Sequence, residues 1–185
     1  MQKQKKQILI PIANGVEEIE TIILIDIFRR AGAEVTVASV NELKIVSAHN
    51  VTIIADCLIE ECKNMLYDLI VLPGGSLGAE NLRDCLILKE LLEKQKKSGR
   101  LYGAICASPV VVLAHHNLIN DVVATAYPSL MHKLPLAADE GLNVVFDKNC
   151  ITSKAPGTAF PFALEIVEIL YGKDKAGQLS KEIVI

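Results

Sequence analysis

The sequence predicts an α/β fold with one mostly parallel sheet covered by helices on both faces. Three observations predict it. Short apolar runs alternate with amphipathic stretches along the chain. Turn residues follow the apolar runs directly, at Asn14-Gly15 and at Pro73-Gly74-Gly75. The 185 residues are 51% hydrophobic, enough to fill one core, so residues 1–185 read as a single domain.

The elements follow in order. Residues 7–12 form a buried strand and Asn14-Gly15 a turn. Residues 17–31 form a helix, with Ile19, Ile22, Ile23, Ile27 and Arg30 setting its period and Gly32 stopping it. A second strand covers residues 34–40, and residues 44–46 and 51–54 form a short hairpin at an edge. Residues 67–72 are a strongly apolar strand running into Pro73-Gly74-Gly75. A helix over residues 86–98 carries a lysine-rich solvated face and stops at Gly99. Residues 101–105 form the next strand, and residues 110–114 a helix opened by Ser108 with Pro109 at its first position. Residues 122–125, 143–146 and 150–152 are shorter strands. Pro156-Gly157-Thr158 opens a helix to about Tyr171, and a short helix follows.

Composition narrows the function classes. The formal net charge is −3, aromatics are 4% and Trp is absent, which argues against a nucleic-acid surface. The basic start with Lys3, Lys5 and Lys6 precedes an apolar run too short for a signal segment, and Pro11 interrupts it. No run approaches the roughly 18 apolar residues of a membrane span, so a cytoplasmic protein is expected. The cysteines Cys57, Cys62, Cys85, Cys106 and Cys150 are odd in number and form no CxxC, which fits reduced thiols. His49, His115, His116 and His132 form no metal-binding spacing, so neither a metal nor a cofactor is expected.

Cys106 is the first candidate for a reactive nucleophile or redox centre. It lies in Ala104-Ile105-Cys106-Ala107-Ser108-Pro109, where a strand feeds a helix, as in a nucleophile elbow. Backbone N–H groups and the helix dipole there favour thiolate over thiol. The alternative is a small buried hydrophobe. In parallel sheets ligands bind beyond the carboxyl ends of the strands, where Asn14-Gly15, Gly74-Gly75 and Cys106 gather. Gly74-Gly75 is either an ordinary tight turn or an oxyanion-type donor site for a thiolate adduct. Glu17, Glu18 and Glu20 complement a helix dipole, yet Glu20 sits among isoleucines and is a candidate buried carboxyl with a raised pKa. Such a group donates to sulfur or acts as a general acid. His115 lies about 13 Å along the helix from the elbow and is a poor base for Cys106. Tyr127-Pro128 follows a strand end and is a candidate pocket wall, while His132 has no assigned place. Without a histidine partner, a papain-like or amidotransferase reading is weakened.

Four motifs together, Gly15-Val16-Glu17-Glu18-Ile19-Glu20-Thr21, Val71-Leu72-Pro73-Gly74-Gly75, Ala104-Ile105-Cys106-Ala107 and Pro156-Gly157-Thr158, resemble the ThiJ/PfpI superfamily. The match is closest to its Parkinson-disease protein deglycase (DJ-1-like) branch and runs from about residue 7 to 182. The resemblance implies a flavodoxin-like (class I glutamine amidotransferase-like) sandwich that forms a homodimer. It maps the reactive cysteine onto Cys106, its protonated carboxyl partner onto Glu20, and oxyanion donors onto Gly75 and Ala107, with Gly74 shaping the turn. Glu17, His49, Tyr127, Lys154 and Pro156 are expected to line the pocket.

Three positions depart from that branch. Tyr127 stands where a histidine is frequent, His49 where a basic residue is frequent, and Lys154 where an arginine is frequent, so a bidentate fork is lost. Ala107 replaces the histidine that follows the cysteine in the protease branch, which argues against a peptidase.

The resemblance implies cofactor-independent glyoxalase and deglycase activity on 2-oxoaldehydes such as methylglyoxal and glyoxal, or on glycated substrates, within oxidative and carbonyl stress protection. The alternative is a non-enzymatic redox sensor or chaperone whose Cys106 oxidises to a sulfinate. A thiazole monophosphate biosynthesis label attaches to some members. A flavin-binding module is disfavoured, because residues 12–15 lack a Ser/Thr-rich phosphate turn.

Overall fold

A computed structural model describes residues 5–185; Lys3 of the basic start lies outside them. Strands buried on both faces need unbroken apolar runs, and three stretches meet that need. They are β1 (Gln7–Ile12), β6 (Leu69–Leu72) and β7 (Leu101–Ile105), the last two buried throughout. Beside them lie β2 (Glu34–Ser39) and β9 (Cys150–Ser153), with β5 (Cys57–Leu58) and β8 (Val144–Asp147) outermost. The sheet order is β5-β2-β1-β6-β7-β9-β8, parallel except for β8. Register is set by pairs such as Ile8 with Val35, Ile8 with Leu69, Leu72 with Ala104, and Ile105 with Ser153. The hairpin expected at the edge forms as β3 (Lys44–Val46) and β4 (Thr52–Ile54), a separate two-stranded sheet.

Strand order reverses between β1 and β6, the point at which this architecture opens a crevice beyond the strand ends. The helices form two groups that cover the sheet on both sides. α1 (Glu18–Ala31) packs with α4 (Ala159–Tyr171) and α5 (Lys173–Glu182). α2 (Ser76–Arg83) packs with α3 (Leu86–Lys97) and with a turn at Pro109–Ala114. α1 buries Leu24, Ile27, Phe28 and Ala31 at helical spacing and ends at Gly32, whose φ of +94° is one glycine adopts freely. No helix among the described residues is long and apolar enough to cross a membrane.

The structure differs from the sequence expectation in five places. Residues 122–125 do not form a strand; they make one isolated bridge, Ala124 with Ala137. The Val123 N–H donates to the Asp147 carboxylate and the Thr125 N–H to Thr152 Oγ1, so side chains take the donors a ladder would use. β8 already occupies the place beside β9. α2 and the two-residue β5 are additional elements. The turn at Pro109–Ala114 is π-helical, and the His115 N–H reaches back five residues to the Val110 carbonyl at 3.3 Å.

Ser108, finally, caps nothing. It is itself helical, and its hydroxyl donates to the Pro73 carbonyl at 2.5 Å. That bond ties the turn after β6 to the turn after β7, with both residues buried. Ser108→Ala strands a buried carbonyl, so it lowers unfolding free energy by about 1–3 kcal/mol. Urea denaturation of the two proteins checks this.

Candidate functional site

Three segments meet beyond the strand ends. The Cys106 backbone sits at φ +65°, a left-handed conformation uncommon outside glycine and characteristic of a strained elbow. It is held from both sides: its N–H donates to the Ser153 carbonyl at 3.0 Å, and its carbonyl accepts from the Tyr127 N–H at 2.8 Å. The side chain is thereby turned out of the strand and half-buried.

Gly74 lies against it. A β-carbon at Gly74 would come 2.6 Å from Cys106 Cβ and 2.9 Å from Glu20 Oε2, so no larger residue fits. The first turn of α1 uses both polar groups of Gly74: its N–H donates to Glu20 Oε2 at 2.6 Å, and its carbonyl accepts from the Glu17 N–H at 3.0 Å. Gly75, at φ +86°, sends the chain into α2. The Gly75 and Ala107 N–H groups face the Cys106 sulfur.

Glu20 is fully buried. Burial raises its pKa from 4.5 to about 7, against the opposing hydrogen bonds from Gly74 and Cys106. Oε2 accepts from Gly74, while buried Oε1 has no hydrogen-bond partner among the described residues. Cys106 is the other side chain that acts on this carboxyl.

The thiol behaves differently from the sequence expectation. Burial, then the Glu20 charge, push Cys106 up to about 12, while the Gly75 and Ala107 N–H groups pull it down. Donors at the elbow do not by themselves make a thiolate, because desolvation outweighs them. The two groups form one titrating pair. Its first proton leaves near 7, and a second negative charge beside the first is strongly resisted.

The sulfur opens into a cavity of about 890 Å³. Glu17, His49, Tyr127 and Pro156 line it as expected from the sequence, with Cys106, Gly75 and Ala107 at its floor. Glu20 and Gly74 stand behind that floor. Lys154 does not line it; its ammonium donates to the Glu140 carbonyl. Nor does His115 or His116, whose Nε2 meets the Arg83 carbonyl at 2.8 Å. Residues the sequence reading did not single out complete the wall: Ser47 and Ala48 of the hairpin loop, and Ser76 and Leu77 of α2. Their one sequence signal is position, next to turns that end at the site.

Glu17, Glu18 and His49 bring possible ligand atoms within 4.8 Å of one another. His49 Nδ1 lies 3.1 Å from Glu18 and 3.6 Å from Glu17, and the His49 N–H donates to Glu18 at 3.3 Å. This is an ion pair at the cavity mouth when His49 is protonated. It docks the hairpin loop onto α1.

Comparison with known proteins places this geometry. The model of the DJ-1/PfpI family matches residues 6–169. The chain is 46% identical to Protein DJ-1 homolog B of Arabidopsis thaliana over 180 residues, 97% of this chain and 41% of that protein. It thus spans less than half the length of that relative. It is 38% identical to the glutathione-independent glyoxalase DJR-1.2 of Caenorhabditis elegans over 187 residues, 100% of this chain and 99% of that protein. Oxidized Toxoplasma gondii DJ-1 superposes with a TM-score of 0.94 at 40% identity, covering 97% of this chain and 98% of that one. The fold is the flavodoxin-like one of these structures.

The buried carboxyl has a consequence for stability. Glu20 is protonated in the folded state up to about pH 7 but ionises from 4.5 in the unfolded chain. Stability from this group is complete below 4.5 and falls as pH rises through about 7, by about 3 kcal/mol in all. Glu20→Gln flattens that slope and is the more stable protein at pH 8. Denaturant unfolding at pH 4.5, 6 and 8 checks this; parallel slopes in the two proteins contradict it.

Proposed function

This chain belongs to the DJ-1/PfpI family, and on that footing we propose that it is a cofactor-independent glyoxalase and deglycase of 2-oxoaldehydes. One observation carries the reading. A cysteine at a left-handed elbow lies beside a fully buried carboxyl whose pKa burial raises, and two backbone N–H groups face its sulfur. The name of the Caenorhabditis elegans relative supports the reaction class.

The chemistry follows from the geometry. Proton transfer within the pair leaves the charge on sulfur and the proton on Glu20. The Cys106 thiolate attacks the aldehyde carbon of methylglyoxal, and Glu20 protonates the forming alkoxide to give a hemithioacetal. The Gly75 and Ala107 N–H groups stabilise negative charge as it develops. Glu20, now a carboxylate, takes the proton from the former aldehyde carbon and returns it to the adjacent carbon, while the hydroxyl proton passes to the neighbouring oxygen. This converts the adduct to the thioester of a 2-hydroxy acid. Water hydrolyses the thioester to lactate and restores the thiol. Glyoxal gives glycolate by the same route, and deglycation starts from an aldehyde already captured by an amine or thiol. Tyr127 lines the cavity, and its phenol or solvent water moves the protons that an imidazole would otherwise move. In this proposal the protein works in the cytoplasm, in carbonyl and oxidative stress protection.

A homodimer is part of the proposal. Ile19 and Ile22 of α1 and Val46, Val51 and Ile54 of the hairpin are large apolar side chains left exposed, and backbone bonds tie the hairpin to Gly15 and Val16 just ahead of α1. Such a cluster is typical of a protein interface. Sedimentation equilibrium is expected to give a dimer for the wild type and a monomer for Ile22→Glu with Ile54→Glu.

Methylglyoxal consumption without glutathione, with the product identified, tests the reaction. Wild type is expected to form lactate, with kcat/KM rising as pH passes about 7, where the pair loses its first proton. Cys106→Ser abolishes turnover. Glu20→Gln lowers it at least about 100-fold and removes the rise near neutrality. Full activity in Cys106→Ser refutes the mechanism. An inert wild type whose Cys106 alone gains two oxygens in peroxide supports the sensor reading instead.

A further inference from the structure

A second pair of sulfurs lies away from this cavity. Cys57 of β5 and Cys62, which closes the 3₁₀ turn Ile59–Cys62, hold their Sγ atoms 3.8 Å apart. That is van der Waals contact between two thiols, neither of which the aldehyde chemistry uses. We propose that Cys57 and Cys62 are a reversible oxidation site that takes hydroperoxides and closes to an intramolecular disulfide.

The frame around the pair is firmly built. Cys57 is registered against Ala38 of β2. Just before it, the Asp56 carboxylate accepts from the Val37 N–H at 2.9 Å and meets Arg29 at 3.3 Å. Just after it, the Leu58 N–H donates to the Glu61 carboxylate at 3.0 Å, fixing the turn that brings Cys62 back. Bond formation needs the sulfurs to close from 3.8 Å to about 2.0 Å. Cys57 is half-buried and open to a small oxidant, whereas Cys62 is fully buried and needs to reach only Cys57.

The step balances. The Cys57 thiolate attacks one peroxide oxygen, the O–O bond breaks, and the products are a sulfenic acid and hydroxide, which takes up the thiol proton as water. The Cys62 thiol then attacks the sulfenic sulfur. The S–S bond forms, the S–O bond breaks, and a second water leaves. Two thiols are oxidised and one peroxide is reduced. Burial, then the neighbouring Cys62, push the Cys57 thiol up, so its thiolate is a minor species and the proximity of Cys62, rather than acidity, drives the closure.

Cys106 lacks such a partner: among the described residues the sulfur–sulfur contact is between Cys57 and Cys62. Its sulfenic acid has no resolving thiol and proceeds to sulfinate, which thiols do not reduce. The chain therefore holds one cysteine with an irreversible oxidation route and a pair with a reversible one.

Peptide mass mapping of the full chain after graded hydrogen peroxide tests this. Trypsin cuts after Lys44 and Lys63, which places Cys57 and Cys62 together on residues 45–63 and Cys106 alone on residues 101–133. The expected result is loss of two hydrogens on the first peptide, resistance to alkylation, and full recovery with dithiothreitol. In Cys62→Ala, Cys57 instead forms an adduct with dimedone, the trap for a sulfenic acid. The proposal is overturned if both cysteines stay alkylatable at a peroxide dose that fully oxidises Cys106, or if each gains oxygen without loss of hydrogen. These masses are read independently of aldehyde turnover, and the wild-type result does not depend on any variant folding.

Discussion

The site depends on how closely three chain segments approach at Gly74. Its missing side chain is the space in which Cys106 Cβ and the Glu20 carboxyl sit. Both of its backbone polar groups are committed to the start of α1. The first turn of that helix is therefore docked on the turn after β6, and the elbow after β7 is packed on the other side. Ser108, just ahead of the π-helical turn, closes the same joint through the Pro73 carbonyl. The left-handed backbone of Cys106 costs of the order of 1–3 kcal/mol and persists because its own N–H and C=O are both held. The strain aims the sulfur at the cavity instead of into the sheet.

Burial sets the ionisation of this joint. A carboxyl and a thiol this deep both resist charging, and each makes the other harder to ionise. The pair consequently carries one negative charge over a broad pH range. The proposed chemistry turns on where that charge sits. Gly74 favours it on Glu20, while Gly75 and Ala107 favour it on sulfur. With donors on both sides the proton can pass across with little rearrangement, which suits a group that first gives a proton to an alkoxide and later removes one from carbon. An isolated low-pKa thiolate would supply a nucleophile without the second function.

Much of this was legible in the sequence, for reasons that differ between elements. Unbroken apolar runs and isoleucines at helical spacing marked β1, β6, β7 and α1, since burial on both faces or on one stripe leaves a periodic signal. Cys106 and Glu20 stood out because polar or reactive groups interrupted those runs. The helix α2 left little trace. It is short, carries Gly78 inside, and exposes Leu77 towards the cavity, so its apolar period is broken by the site it helps to build. Residues 122–125 misled for the opposite reason: β-branched residues suggested a strand, but Asp147 and Thr152 side chains had taken the backbone donors. Lys154 shows a further limit. Its spacing from Pro156 gives no direction to a long side chain, and a backbone carbonyl at Glu140 claims it.

The cysteines show the same dependence on neighbours. Cys150 is fully buried on the central sheet and behaves as a small apolar side chain. Cys106 has a carboxyl beside it and a cavity before it, so an electrophile that reaches the sulfur meets a proton donor as well. Cys57 has another thiol beside it, so an oxidised sulfur there meets a second nucleophile. Burial raises the pKa of Cys57, Cys106 and Cys150 alike, and acidity alone therefore does not separate their roles. What separates them is the group that waits for the product of the first step: a carboxyl proton at one site, a sulfur at another, and apolar packing at the third.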